Sequence, residues 1–177
     1  KVAVARAGNV IGGGDWAPQR IVPDTIRAWS NNEPVKIRNL ASTRPWQHVM
    51  EPLGGYLLLA TKLAHGELGT SLESFKFGPP ATQNASVRDL IELMGQDWGI
   101  GYVEEEKAEA PKEAGLLRLN CDKAQELLGW SSLLPLEDCA KMTVEWYRNF
   151  YHGEITPVDF TLYQIAAYQR QLYQSLR

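Results

Sequence analysis

Four arginines of this chain stand in or beside loops and strand ends: Arg6, Arg20, Arg38 and Arg44. None sits on a clear solvent face of a helix. A guanidinium offers paired N–H donors, and a diphosphate needs such bidentate cations together with backbone N–H groups. Converging, the four would recognise a small diphosphate anion. Spacing alone does not bring them together, and it leaves a second reading open, that these are ordinary surface arginines. Beside Arg44 lie Trp46, Gln47 and His48. An indole can cover a base or a sugar, and a Gln amide can bond polar edges. The alternative is core packing for Trp46 and a backbone cap for His48; the residue types taken alone lean that way.

The run Gly12-Gly13-Gly14 invites a dinucleotide reading, which its context rejects. The Rossmann fingerprint needs a strand, then G-x-G-x-x-G, then a helix whose N-terminus meets the pyrophosphate. Here Asp15-Trp16-Ala17-Pro18 follows, which is no helix opening. A glycine turn that brings Asn9 toward a ligand fits better. His48, His65 and His152 have no metal-ligand spacing, and no nucleophile–base pair stands out, so no catalytic and no metal residues are expected. Glu104-Glu105-Glu106, followed by Lys107, reads as a solvated loop or strand end.

The elements that must position these residues alternate between short strands and helices. An apolar run at 2–5 suits a buried strand, followed by the glycine loop. A helix is expected over 21–30 with Pro23 in its first turn, then a strand at 35–38. Residues 39–50 read as irregular. Helix 52–64 would lay Leu53, Leu57, Ala60 and Ala64 along its apolar face. Phe75-Lys76-Phe77 reads as a strand entering a turn. Ser86 suits an N-cap for helix 87–98, with Asp89 at the helix's positive end. Residues 100–106 suit a strand. Asp122 would cap a short helix ending at Gly129. Helix 136–150 carries Leu136, Cys139, Thr143, Trp146 and Phe150 on one side. A last helix at 159–176 repeats Leu162, Ile165, Ala166, Leu172 and Leu176. The class is α/β or α+β.

Composition sets the outer limits. With 177 residues the chain is one domain, or one domain plus a piece of another. A hydrophobic fraction of 44% with 22% charged residues describes a globular chain rather than a disordered one. The net charge of −3 argues against a protein that coats nucleic acid, although a few local arginines suffice for a small anion. Two cysteines, Cys121 and Cys139, are expected as buried thiols, which suits a reducing cytoplasm. No stretch reaches the roughly 20 apolar residues of a membrane helix. Lys1-Val-Ala-Val-Ala enters an apolar strand with neither a methionine nor a leader, so the chain is expected to be a piece of a longer one.

The stretches Arg6-Ala-Gly-Asn9-Val10-Ile-Gly12-Gly-Gly-Asp15-Trp16, Arg20-Ile21-Val-Pro23-Asp24, Ile37-Arg38-Asn39 and Thr43-Arg44-Pro-Trp46-Gln47-His48-Val49-Met-Glu51-Pro52 together resemble the CDP-glucose 4,6-dehydratase family. That family lies within the extended short-chain dehydrogenase/reductase group. The tail, from Cys121-Asp122-Lys123-Ala124 through Leu128-Gly129-Trp130 to Thr143-Val-Glu-Trp146-Tyr147, is similar to the usual end of these enzymes. The resemblance covers about residues 1–150 and is most specific at 43–52.

The resemblance implies an NAD-dependent lyase that eliminates water from CDP-glucose to give CDP-4-keto-6-deoxyglucose, for O-antigen and lipopolysaccharide sugars. It implies the C-terminal part of an extended Rossmann fold: the last sheet strand or strands plus a small mixed α/β substrate-binding domain. Residues 1–158 would form that unit, and 159–177 a C-terminal helix. By position, Asn9, Arg20, Ile21, Lys36, Ile37, Arg38 and Arg44 are implied as substrate-binding, with Trp46 and Gln47 as neighbours and Val10 near the nicotinamide end of NAD. The family's Tyr-x-x-x-Lys pair is missing, since none of the seven tyrosines has Lys four positions later. The chain alone is therefore expected to be inactive. The expected partner is a CDP-sugar, not nucleic acid or membrane, within a full enzyme that is a homo-oligomer. The alternatives are a stand-alone nucleotide-sugar-binding module, or half of a related epimerase or decarboxylase.

Overall fold

The structure, a computed structural model, describes residues 2–69, 73–104 and 119–175. The chain enters as β1 (Ala3–Ala7) and β2 (Asn9–Ile11), runs through the glycine loop into α1 (Ile21–Ser30), and continues into β3 (Val35–Ile37). Two very short strands follow, β4 (Thr43–Arg44) and β5 (Trp46–His48), then α2 (Met50–His65) and β6 (Glu73–Phe77). The remainder is β7 (Ala85–Ser86), α3 (Val87–Trp98), β8 (Tyr102–Glu104), α4 (Asp122–Leu128), α5 (Leu136–His152) and α6 (Pro157–Ser175).

Strands pair with distant partners. β1 lies parallel to β6, with Ala5 opposite Phe75, and α2 sits on the crossover between them. β2 lies parallel to β5 and sets Asn9 opposite Trp46. β3 is parallel to β8, while β4 is antiparallel to β7. Parallel partners require a long connection, here filled by a helix. The expected irregular stretch 39–50 is thus corrected. It holds β4 and β5, each too short to show a period of its own, and each formed by pairing with a strand far off in sequence.

Two apolar clusters hold the fold. The larger joins Ile26 and Trp29 of α1 to Leu90 and Met94 of α3 and to Val144 and Tyr147 of α5. The smaller gathers Phe75 and Phe77 of β6 with Leu59 of α2 and Leu128 of α4. Local chemistry sets several element ends. Ser86 closes a full capping box: its hydroxyl accepts from the Asp89 N–H, while the Asp89 carboxylate accepts from the Ser86 N–H. Gly66, Gly99 and Gly129 end α2, α3 and α4 at φ between 70° and 84°, where a Cβ would strain the backbone. At α4 the expected cap moves. Asp122 is the first helical residue, and the oxygen facing its N–H belongs to Asn120, at 3.1 Å.

The apolar stripe expected on α2 faces outward, as do Leu162, Ile165 and Leu172 of α6, while Leu176 lies outside the described residues. Leu53, Leu57, Ala60 and Ala64 of α2 are exposed or half-exposed, Leu57 by 71%, and the helix buries Glu51, Pro52, Gly55 and Leu59 instead. Gly55 is needed there because a side chain would start 2.3 Å from the Phe77 ring. Helix α6 docks through polar tips rather than through Leu162, Ile165 and Leu172. Gln164 Nε2 donates to the Met142 carbonyl, and Trp146 Nε1 donates to Thr161 Oγ1, both at 2.8 Å. The face expected on α5 is also rotated: Tyr147 is fully buried, while Phe150 is exposed. Of the two cysteines, Cys139 is buried and Cys121 only half-buried.

Candidate functional site

A cavity of about 1080 Å³ opens where β2, the start of α1, β3 and β4 meet. That is large enough for a drug-sized or nucleotide-sized ligand, for which pockets of roughly 300–1,000 Å³ are usual. Asn9 and Val10 reach it from β2, and Arg20 and Ile21 from the turn into α1. Lys36, Ile37 and Arg38 reach it from β3 and its exit, and Arg44 and Trp46 from β4 and β5. Residues of four separate segments that spacing alone left apart are therefore brought to one wall.

Each wall residue is placed by a local cause. Asn9 sits in the register that puts it opposite Trp46, and its side chain makes no hydrogen bond among the described residues. Arg20 is the extended residue that enters α1, and Ile21 begins the helix. Val35 and Ile37 alternate inward on β3, which turns Lys36 outward on the same strand. Arg44 Nη1 donates to the Thr43 carbonyl at 2.9 Å. The cavity thus joins apolar wall from Ile21 and Ile37 to cations from four positions, an arrangement suited to a ligand with a flat apolar part and a multiply charged anionic part.

Two expected residues stand elsewhere. Gln47 is only 1% exposed and lines no part of the cavity: its Nε2 donates to the Phe77 carbonyl at 2.8 Å and so ties β5 to β6. Alternation on β5 sends Trp46 and Gln47 to opposite faces, which is why neighbours in sequence part company. Arg6 is exposed on β1, in register with Lys76, and is absent from the cavity wall. Trp46 lines the cavity but is itself a packed core residue.

Sequence reasoning missed the carboxylates. Asp15 and Asp24 also line the cavity. Asp15 Oδ2 pairs with Arg20 Nη1 at 3.2 Å, and Asp24 pairs with Arg27. The Asp15-x-x-x-x-Arg20 spacing was visible, but nothing in it announced a loop that folds back on itself. The glycine run also has its reason. A side chain at Gly12 would start 2.9 Å from Val49, and one at Gly13 would start 2.1 Å from the Trp146 ring. Gly12 thus admits Val49 at the entry to α2 and Gly13 admits Trp146 of α5, and the helix after them begins only at Ile21.

Beneath the site lie buried titratable groups. Burial pushes the His48 imidazole down to about 4; its Nδ1 accepts from the Met50 N–H, and its Nε2 has no partner among the described residues. Glu51 is fully buried, and burial raises its carboxyl above the usual range against the pull of two backbone donors, Leu133 and Leu134, and of the Tyr168 hydroxyl. Burial likewise raises the Cys139 thiol to about 12 and makes it inert. Among the described residues no group of three or more His, Cys, Asp and Glu could hold a metal ion, and no helix is long and apolar enough to cross a membrane.

No family model matches the chain. A CDP-glucose 4,6-dehydratase of Salmonella typhimurium is 40% identical over 155 residues, covering 86% of this chain and 43% of that protein. The chain thus spans less than half the length of that curated relative. The solved UDP-glucuronic acid 4-epimerase from Bacillus cereus, in complex with UDP-glucuronic acid and NAD, superposes with a TM-score of 0.68 at 18% identity, over 84% of this chain and 46% of that one. The UDP-glucose 4-epimerase from Thermotoga maritima, solved with UDP-glucose, gives 0.67 at 24% identity, over 84% and 46%. The chain therefore shares the α/β fold of the matched part of these epimerases, with the parallel strands and crossover helix described above.

Proposed function

We propose that this chain is the substrate-binding part of a CDP-glucose 4,6-dehydratase, with the cavity between β2, α1, β3 and β4 as its nucleotide-sugar site. One observation carries the reading: Asn9, Arg20, Arg38 and Arg44 line a single cavity, in a chain that is 40% identical to such an enzyme over 86% of its length. In this reading Arg20 and Arg44 neutralise the two phosphates, and the Asn9 amide bonds a phosphate or sugar oxygen. Ile21 and Ile37 cover the faces of the base, and Lys36 and Arg38 flank the nucleotide. Residues 1–158 carry the site in this reading, while α6 docks on α5 and on Glu51 of α2.

NAD is the cofactor of the whole enzyme in this reading, and it supplies the acceptance and return of a hydride at the sugar. The residues present here do not fit a dinucleotide pyrophosphate, because Gly12 and Gly13 are filled against Val49 and Trp146. Val10 lines the cavity wall, and the family resemblance would put it toward the nicotinamide end. With no Tyr-x-x-x-Lys among its tyrosines, the chain alone binds but does not turn over.

The reading is tested by titrating CDP, UDP and dTDP into the chain. CDP bound in preference to the other two supports it. The solved epimerases superpose on this chain and were solved with UDP-sugars, so UDP bound in preference to CDP would favour the epimerase alternative instead.

A further inference from the structure

The loop between Gly12 and Arg20 is held from outside the cavity by a helix more than a hundred residues away. The Tyr147 hydroxyl of α5, on a fully buried side chain, donates to the Asp15 carbonyl at 2.6 Å. The Trp16 indole packs edge-on to the Tyr147 ring at 5.2 Å and against Phe150 at 5.0 Å. From the other side, Arg27 Nη1 donates to the Trp16 carbonyl at 3.1 Å. Asp15 is thus pinned by its backbone while its carboxylate works on the loop. Oδ1 accepts from the Ala17 N–H at 3.0 Å, and Oδ2 holds Arg20 at 3.2 Å. Gln19, immediately before Arg20, sits at φ 62°, a left-handed conformation that needs its neighbours to hold it.

We propose that Tyr147 is a positioning residue for Arg20, acting through Asp15, so that α5 sets the reach of a phosphate-binding cation into the cavity. The proposal rests on the nucleotide-diphosphate reading of that cavity. The Arg20 side chain is 65% exposed, and an exposed ion pair on its own contributes little. A free arginine would lose its rotamer freedom on each binding event. What limits that loss is a carboxylate whose own backbone cannot move, and the Tyr147 hydroxyl supplies the fixed point. Preorganisation of this kind raises affinity without adding any contact to the ligand.

The test is a double-mutant cycle on the chain, read by calorimetric titration of CDP. Tyr147→Phe removes the hydroxyl and keeps the ring on Trp16. It is expected to weaken CDP binding roughly five-fold, the equivalent of one hydrogen bond. In an Arg20→Ala background the same change should have no further effect, within about two-fold. A merely structural tyrosine would weaken binding by the same factor in both backgrounds, and that result overturns the proposal. So does an Arg20→Ala variant that binds as the unaltered chain does. Should Tyr147→Phe fail to fold, Asp15→Asn takes its place: it keeps an oxygen for Ala17, removes the charge holding Arg20, and must show the same dependence on Arg20. Failure of the unaltered chain to bind CDP would sink the nucleotide reading and this proposal together, whereas tight binding with additive losses would sink this proposal alone.

Discussion

Tyr168 of α6 donates its hydroxyl to Glu51 Oε2 at 3.1 Å, and so fastens the last helix to the first turn of α2. The other oxygen of Glu51 accepts from the N–H groups of Leu133 and Leu134 at 2.9 and 2.7 Å. One buried carboxylate therefore joins α2, the approach to α5, and α6. Burying it is costly, and these three donors offset the cost.

Tyr168→Phe should loosen α6 without disturbing the cavity. One charge-assisted bond of the three is lost, worth about 1.5–3 kcal/mol. Hydrogen exchange should then accelerate across 157–175 and stay unchanged in α3. Uniform acceleration, or none, would show that α6 is held by other means.

Stability should fall as the solution is acidified from pH 6.5 toward 4, with His48 as a principal cause. The His48 pKa is depressed from 6.5 to about 4 by burial. The unfolded chain therefore takes up the proton first, and stability present above pH 6.5 is lost as pH falls through the folded value. At about 1.4 kcal/mol per unit this amounts to about 3 kcal/mol. Glu51 runs the opposite way: its pKa is raised, so its contribution is present at low pH and is lost as pH rises. The contribution of His48 is isolated by comparing thermal midpoints at pH 6.5 and 4 for the unaltered chain and His48→Gln. The variant should lose distinctly less on acidification; equal losses would contradict the assignment.

Gly13→Ala should destabilise the chain by about 1–3 kcal/mol, the usual cost of overpacking. The added methyl would start 2.1 Å from Trp146, against which the loop lies. Thermal or denaturant unfolding measures it. A neutral outcome would mean that α5 and the loop part more easily than their contact implies.

What could be read from residue order was the part decided by near neighbours. Ser86 and Asp89 form their capping box within one turn, so the start of α3 was legible. So were Ile21–Ser30 and the glycine that ends α4. Strands β4 and β5 were not, because two or three residues carry no period and their partners lie far away. An apolar stripe names a face but not what covers it, which is why Leu53 and Leu57 read as inward and stand outward. At the site, Arg20, Arg38 and Arg44 were singled out by type, but Gln47 was misplaced by one step of strand alternation. Asp15 and Tyr147 went unassigned because their contact joins positions 132 residues apart.

The central claim is that cations from separate loops meet around Asn9 to hold two linked phosphates, and calorimetric titration of CDP into the chain tests it most directly. The account predicts binding at one site that weakens as salt rises, because exposed charges are screened within about 8–10 Å at physiological ionic strength. It predicts that Arg44→Ala weakens binding roughly 10- to 100-fold, the loss of one charge-assisted contact. No binding at low salt, or binding that Arg20→Ala and Arg44→Ala both leave untouched, would contradict it.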